Sequence, residues 1–207
     1  MQWIDHIAVG VPSLEAGVAE FMGYGLGAVE GGRHPEGTMN RNIPLDPPQY
    51  VELIEVWDPE GDMGRRTVEL MEAGQRLLGV AIEVDDIDAV GRRVGVCPDG
   101  GSIQLPDGTT GTWGYVEHPS EHWLPFYISY GMGHAARQAR IDRWAARYQS
   151  AEHHNPPSGI RWVEIGGNAQ LLRSWLGETS LPIKSVPGPP GIRRFGVGMG
   201  DREVVIS

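Results

Sequence analysis

Apolar and polar residues alternate along residues 3–14 (WIDHIAVGVPSL), with Ile7, Val9 and Val11 on one face of a strand and Ile4, His6, Ala8 and Gly10 on the other. Pro12 and Ser13 end the run. Leu14, Val18, Phe21 and Met22 then recur at helical spacing up to the Gly23-Tyr24-Gly25 stop. A glycine-rich stretch (27–38), a short run (39–45) closed by Asp46-Pro47-Pro48, and the strand-like YVELIEV of Tyr50–Val56 complete a unit that reads β-α-β-β-β.

The same grammar returns 73 residues on. In GVAIEVDDI (79–87), Val80, Ile82 and Val84 stand for Ile7, Val9 and Val11, which points to an internal duplication. A helix over 87–96, hairpin-like runs around Ile103 and Trp113, and the strand WLPFYISY (123–130) follow. A fainter third copy begins at RWVEIGGNAQLLRSWLG. There Val163 and Ile165 take the strand positions, Leu172, Trp175 and Leu176 the helical ones and Gly177 the stop, and candidate strands lie at 183–186, 193–199 and 203–206. Between the second and third copies, Ile141, Trp144, Ala145 and Tyr148 form one helical stripe within His134–Ser150. Arg137, Arg140, Arg143 and Arg147 decorate the remainder and read as a solvated basic face rather than a docking surface. The organisation expected is a two-unit domain at 1–131 (units about 1–58 and 77–131), a connector and linker at 132–157, and a third, abbreviated unit at 158–207. The fold class is α+β.

Composition narrows the partners. Seventeen Lys and Arg against 27 Asp and Glu give a net charge of −10, which argues against nucleic acid or an anionic membrane and for a small-molecule ligand. The single cysteine, Cys97, cannot close an internal disulfide; without a basic partner it reads as a buried or half-buried structural thiol. No charged leader precedes the first strand and no apolar run nears the roughly 20 residues of a membrane span, so a cytoplasmic protein is expected.

Taken together, the opening DHIAVGV, the closing YVELIEV and the repeated units resemble the vicinal oxygen chelate superfamily, the glyoxalase and bleomycin-resistance fold. GGRHPEGTMNRNIPL and LPFYISYG look more narrowly like its glyoxalase-like branch, over residues 1 to 131. The resemblance implies curved sheets paired into a cup that holds a divalent metal. It places His6 at the first-strand ligand and Glu52 at the fourth-strand ligand. Parity agrees, since Tyr50, Glu52, Ile54 and Val56 share a strand face. An imidazole and a carboxylate suit Zn, Mn, Ni or Fe. The second unit departs from the pattern: Gly79 stands at the histidine position and Phe126 near the carboxylate position, and the third unit has Ile160. Half the usual ligands are absent, and His34, on the hairpin between the second and third strands, is the substitute that the resemblance suggests.

Each residue also has a plainer reading. His6 and Glu52 can form a structural pair, with even odds against a metal pair. His34 by type alone is a surface turn residue, and Asn40, a candidate for a substrate carbonyl, can simply enter its strand from a turn. Trp113, Tyr115, Phe126 and Tyr130 can wall a pocket or fill a core. Glu55 has the wrong parity and reads as a sheet-edge charge. His118 and His122 flank Pro119, which opposes a helical metal pair, and His153 and His154 read as linker. Two functions compete. One is a metal-assisted lyase, isomerase or hydrolase on a small oxygenated metabolite, with Glu52 catalytic and Asn40, Trp113 and Phe126 on substrate. The other is a metal-free protein that sequesters a ligand, which the loss of both second-unit ligands favours. The odd third unit suggests either a homodimer formed by that segment across a twofold axis or its packing on the cup.

Overall fold

The repeat pattern becomes a closed eight-stranded barrel in the computed structural model, which describes residues 2–131 and 134–207. Met132 and Gly133, where the connector read from sequence begins, lie outside the described residues. The first unit is β1 (Gln2–Gly10), α1 (Leu14–Gly23), β2 (Val29–His34), β3 (Thr38–Pro44) and β4 (Tyr50–Val56). After α2 (Asp62–Glu72) comes the second: β5 (Leu77–Val84), α3 (Ile87–Val94), β6 (Asp99–Gln104), β7 (Thr110–Val116) and β8 (Phe126–Ser129). Then α4 (His134–Ser150) leads to β9 (Pro157–Gly166), α5 (Ala169–Leu176), β10 (Ile183–Val186), β11 (Gly191–Met199) and β12 (Arg202–Ile206).

Around the barrel the order is β1-β4-β3-β2-β6-β7-β8-β5. In each half the first strand runs parallel to the last, β1 to β4 and β5 to β8. The halves join along a long antiparallel β1–β5 seam, while β2 and β6 meet through one pair, Arg33 with Gln104. The third unit forms a separate sheet ordered β10-β9-β11-β12. Here the first strand is parallel to the strand directly after the helix, so the element order of the repeat is kept and its wiring is not.

Local chemistry sets the helix ends. The Ser13 hydroxyl accepts the Ala16 N–H, and Glu55 Oε2 accepts the Leu14 N–H at 2.7 Å. Glu55 is therefore a partner of the α1 N-terminus rather than a sheet-edge charge, because β4 ends directly beside that helix. Asp86 caps α3 through the Ala89 N–H, and Gly95 closes it in the left-handed region at φ 73°. The helix α2 has no counterpart in the sequence reading; it fully buries only Gly64 and Thr67.

One continuous core lies outside the barrel wall. Ile7, Val9 and Leu53 pack under α1 with Phe21, and Val80 and Ile82 share the same cluster with Val163, Ile165, Phe195 and Val197 of the third unit. Each such side chain contributes roughly 1.5–3 kcal/mol on burial. The apolar face of the third unit is thus covered within the same chain, the second of the two arrangements expected for it. Ile4 also joins this core, although alternation put it on the face of His6. A register shift in the β1–β5 pairing between Ile4 and His6 absorbs Asp5 and reverses the parity there. No helix among the described residues is long and apolar enough to cross a membrane.

Candidate functional site

Inside the barrel the alternation runs polar. His6 and Ala8 of β1, Asn40 and Asn42 of β3, and Tyr50, Glu52 and Ile54 of β4 line a cavity of about 840 Å³. Across from them stand Gly79, Phe126 and Ile128 of the second unit, with Trp113 on β7. His6, His34, Asn40 and Glu52 are all buried.

These four converge on one carboxylate. His6 Nδ1 is 2.8 Å from Asp5 Oδ2, and its Nε2 is 3.5 Å from Glu52 Oε2. His34 Nδ1 is 2.8 Å from Thr38 Oγ1, and its Nε2 is 3.8 Å from Glu52 Oε1. The amide of Asn40 donates to Glu52 Oε1, while its carbonyl accepts the Gly32 N–H at 2.7 Å. Gly31 makes room for this clamp, since a Cβ there would lie 1.7 Å from Asn40 Oδ1. Asn40 therefore positions Glu52. On the same wall, Asn42 Oδ1 is buried without a hydrogen-bond partner among the described residues.

Behind His6 sits a network that the sequence reading missed. Arg140 of α4 donates to Asp5 Oδ1 at 2.6 Å and to Glu83 Oε2 at 2.8 Å, and Tyr130 donates its hydroxyl to Asp5 Oδ2 at 2.9 Å. Arg140 is 5% exposed and stacks 4.0 Å above the Tyr130 ring, so it is not part of a solvated basic face. One guanidinium cannot neutralise two buried carboxylates. Burial alone would raise the Asp5 carboxyl, but Arg140 and the His6 bond outweigh it and hold Asp5 below the usual carboxylate range. For Glu83, burial and then the charge of Asp5 prevail over Arg140, and its carboxyl is pushed up to about 8. The proton resides on Glu83 and the charge on Asp5. Asp5 thereby holds the imidazole of His6 through Nδ1 and leaves Nε2 turned toward Glu52.

The helix α4 also roofs the cavity. The rings of His6 and Tyr50 stack at 4.6 Å, those of Tyr50 and Trp144 at 4.3 Å, and the Arg147 guanidinium lies 4.9 Å over Trp144. Phe126 meets His6 edge-on at 5.8 Å and Trp113 meets His34 at 6.0 Å, so both substrate-wall candidates border the site. Gly79 and Phe126 are fitted to each other: a Cβ on Gly79 would lie 3.3 Å from the Phe126 ring. At the far wall Glu117 Oε1 accepts from Arg66 at 2.5 Å and lies 3.0 Å from His122 Nδ1. His153 is more than linker, since its Nδ1 accepts the Gly27 N–H, and Cys97 is exposed rather than buried.

The donors suit a divalent ion. As placed, no three His, Cys, Asp or Glu side chains among the described residues close on a common point, because the two oxygens of Glu52 face different imidazoles. Yet bonds of about 2.0–2.2 Å to one ion require nitrogen and oxygen within roughly 4.4 Å of each other. Both separations, 3.5 and 3.8 Å, meet that limit and exceed the roughly 2.7–3.0 Å of a direct charge-assisted bond. The orphaned oxygen of Asn42 beside Glu52 is a further sign that this wall suits a polar occupant.

Comparison with known proteins fits this architecture. The family model described as glyoxalase-like domain matches residues 4–179. A hypothetical protein from Staphylococcus aureus shares the fold at 15% identity and a TM-score of 0.66, over 99% of this chain and 84% of that one. A Streptomyces coelicolor methylmalonyl-CoA epimerase in complex with 2-nitronate-propionyl-CoA aligns at 21% identity and a TM-score of 0.44, over 61% of this chain and 96% of its own. No curated protein matches the chain.

Proposed function

The chain belongs to the glyoxalase-like domain family of the vicinal oxygen chelate superfamily, and from that premise we propose that it is a metal-assisted lyase or isomerase acting on a small oxygenated metabolite. In this reading His6, His34 and Glu52 hold the ion. The observation that carries it is the shared aim of the two imidazoles: each has its Nδ1 tied to a partner, and each turns Nε2 toward Glu52 without bonding it. Such outer partners fix the orientation of metal-ligating histidines. A bound Zn, Mn, Ni or Fe ion would polarise a carbonyl or enolate oxygen and so acidify the neighbouring C–H.

The chain's own groups do the rest. Asp5 and Thr38 hold the imidazoles in register, and Asn40 fixes Glu52 Oε1; if the ion is held without Glu52, this carboxylate is instead the base that takes a proton from the substrate carbon. Phe126, Trp113 and the α4 roof exclude water. A second reading, sequestration of a ligand without an ion, is supported by the Gly79–Phe126 fit, which fills the second unit's ligand positions with an aromatic wall. Metal content by plasma mass spectrometry, followed by calorimetric titration of the stripped protein, separates the two. One ion per chain that disappears in His6→Ala and weakens in His34→Ala is the expected result. No saturable binding of any of the four ions, with retained binding of aromatic ligands, overturns the first reading in favour of the second.

A further inference from the structure

Among the arginines that line the cavity, two are neutralised by the protein and two are not. Arg66 is paired with Glu117, and Arg140 with Asp5 and Glu83. Arg143 and Arg147 form no ion pair among the described residues. Arg147 is half-buried, lies flat on Trp144 and spends one N–H on the Glu30 carbonyl, while the Glu30 carboxylate is turned to Arg41. Burial pulls the Arg147 guanidinium below its usual range, and no carboxylate opposes that pull. The two residues stand one turn apart on the face of α4 that roofs the cavity. A partly desolvated cation without a counter-charge is costly, and here it borders a space large enough for a metabolite.

We propose that Arg143 and Arg147 form an oxyanion subsite that binds the carboxylate or phosphate of the substrate. The inference rests on the proposed reading of the cavity as a substrate site, and it adds the substrate's class. Three stacked steps, each under 5 Å, separate Arg147 from His6. The anionic group therefore lies several bonds away from the oxygen at His6, at the other end of an extended molecule. A guanidinium pair matches the planar fork of a carboxylate and the oxygens of a phosphate equally well. In a chain of net charge −10, the subsite is a local positive field that selects an anion against the overall repulsion.

The test is calorimetric titration of EDTA-stripped protein with 4-phenylbutyrate, 3-phenylpropyl phosphate and uncharged 4-phenylbutanol. At least one anionic probe should bind tenfold or more tightly than the alcohol. The tighter of the two anions tells whether the natural group is a carboxylate or a phosphate. R143A and R147K should each narrow the preference, and R143A/R147A should bring the three probes to parity. Arg143 is exposed, so R143A keeps the test informative if losing the Arg147 stack impairs folding. Equal binding of all three probes by the unaltered chain, or an undiminished anion preference in a folded double variant, overturns the proposal. Because the protein is stripped, this outcome is independent of whether a metal binds.

Discussion

Replacing Arg140 by Met probes the buried network directly. The substitution preserves volume but removes the guanidinium bonded to Asp5, which is fully buried, and to Glu83, which is 3% exposed. Breaking a buried pair from one side costs about 3–5 kcal/mol, because the remaining charge stays uncompensated. With a urea m-value of about 2.5 kcal/mol/M, the unfolding midpoint falls by about 1–2 M. The sign with pH is also fixed. Without Arg140 the folded Asp5 carboxyl loses its largest lowering partner and rises, so the variant loses support relative to the unaltered chain as pH climbs. The deficit of R140M relative to the unaltered chain should be larger at pH 8 than at pH 5. Adding Asp5→Asn removes the stranded charge and should restore most of the loss. A midpoint shift below about 0.3 M, or a deficit equal at the two pH values, would refute the argument, since about 3 kcal/mol or more cannot vanish from a truly buried pair.

Three further outcomes follow from single contacts. Glu83, with its folded carboxyl near 8, keeps a proton that the unfolded chain releases above about 4.5. Stability from this group is complete below the unfolded value and is lost as pH rises toward 8, by at most about 1.4 kcal/mol per pH unit, and Glu83→Gln should flatten that slope in denaturation at successive pH values. Glu55→Ala removes the acceptor of the Leu14 N–H and should cost about 1 kcal/mol in thermal unfolding without altering ligand binding. Asn40→Ala frees Glu52 and should weaken metal binding about 10- to 100-fold by titration; an unchanged affinity would deny Asn40 its positioning role.

Periodicity carried most of the fold and part of the site. The strands bearing His6 and Glu52 were legible because alternation over 3–11 and 50–56 fixes both parity and the inner face. His34 came from the resemblance, Asn40 from residue type alone, and the resemblance did not choose among chemistries. What was not legible depends on pairing geometry that no local pattern encodes. The register shift at Asp5 converts an apparent outward residue into the partner of His6, and the burial of Arg140 depends on two carboxylates 135 and 57 residues away in sequence. The two acids did leave a faint signal, a charge within each of two otherwise apolar strands, WIDHI and VAIEV. Asn42, one pleat from Asn40, follows the same alternation and was available to the same reasoning.

The bond from α4 to both β1 and β5 has a consequence for how such a chain can change over time. Copies made by duplication begin as interchangeable parts, and any of them can be lost without harming the others. Once a later segment is hydrogen-bonded to a buried strand acid in each of two earlier copies, that freedom ends. A chain cut after residue 131 would strand Asp5 and Glu83 without Arg140, uncover Tyr50 where Trp144 had stacked, and bare the side of Ile4 and Val80 that faces the third unit. The repeats have thus become one folding unit, in which the segment after residue 131 cannot be removed without unsettling both units before it.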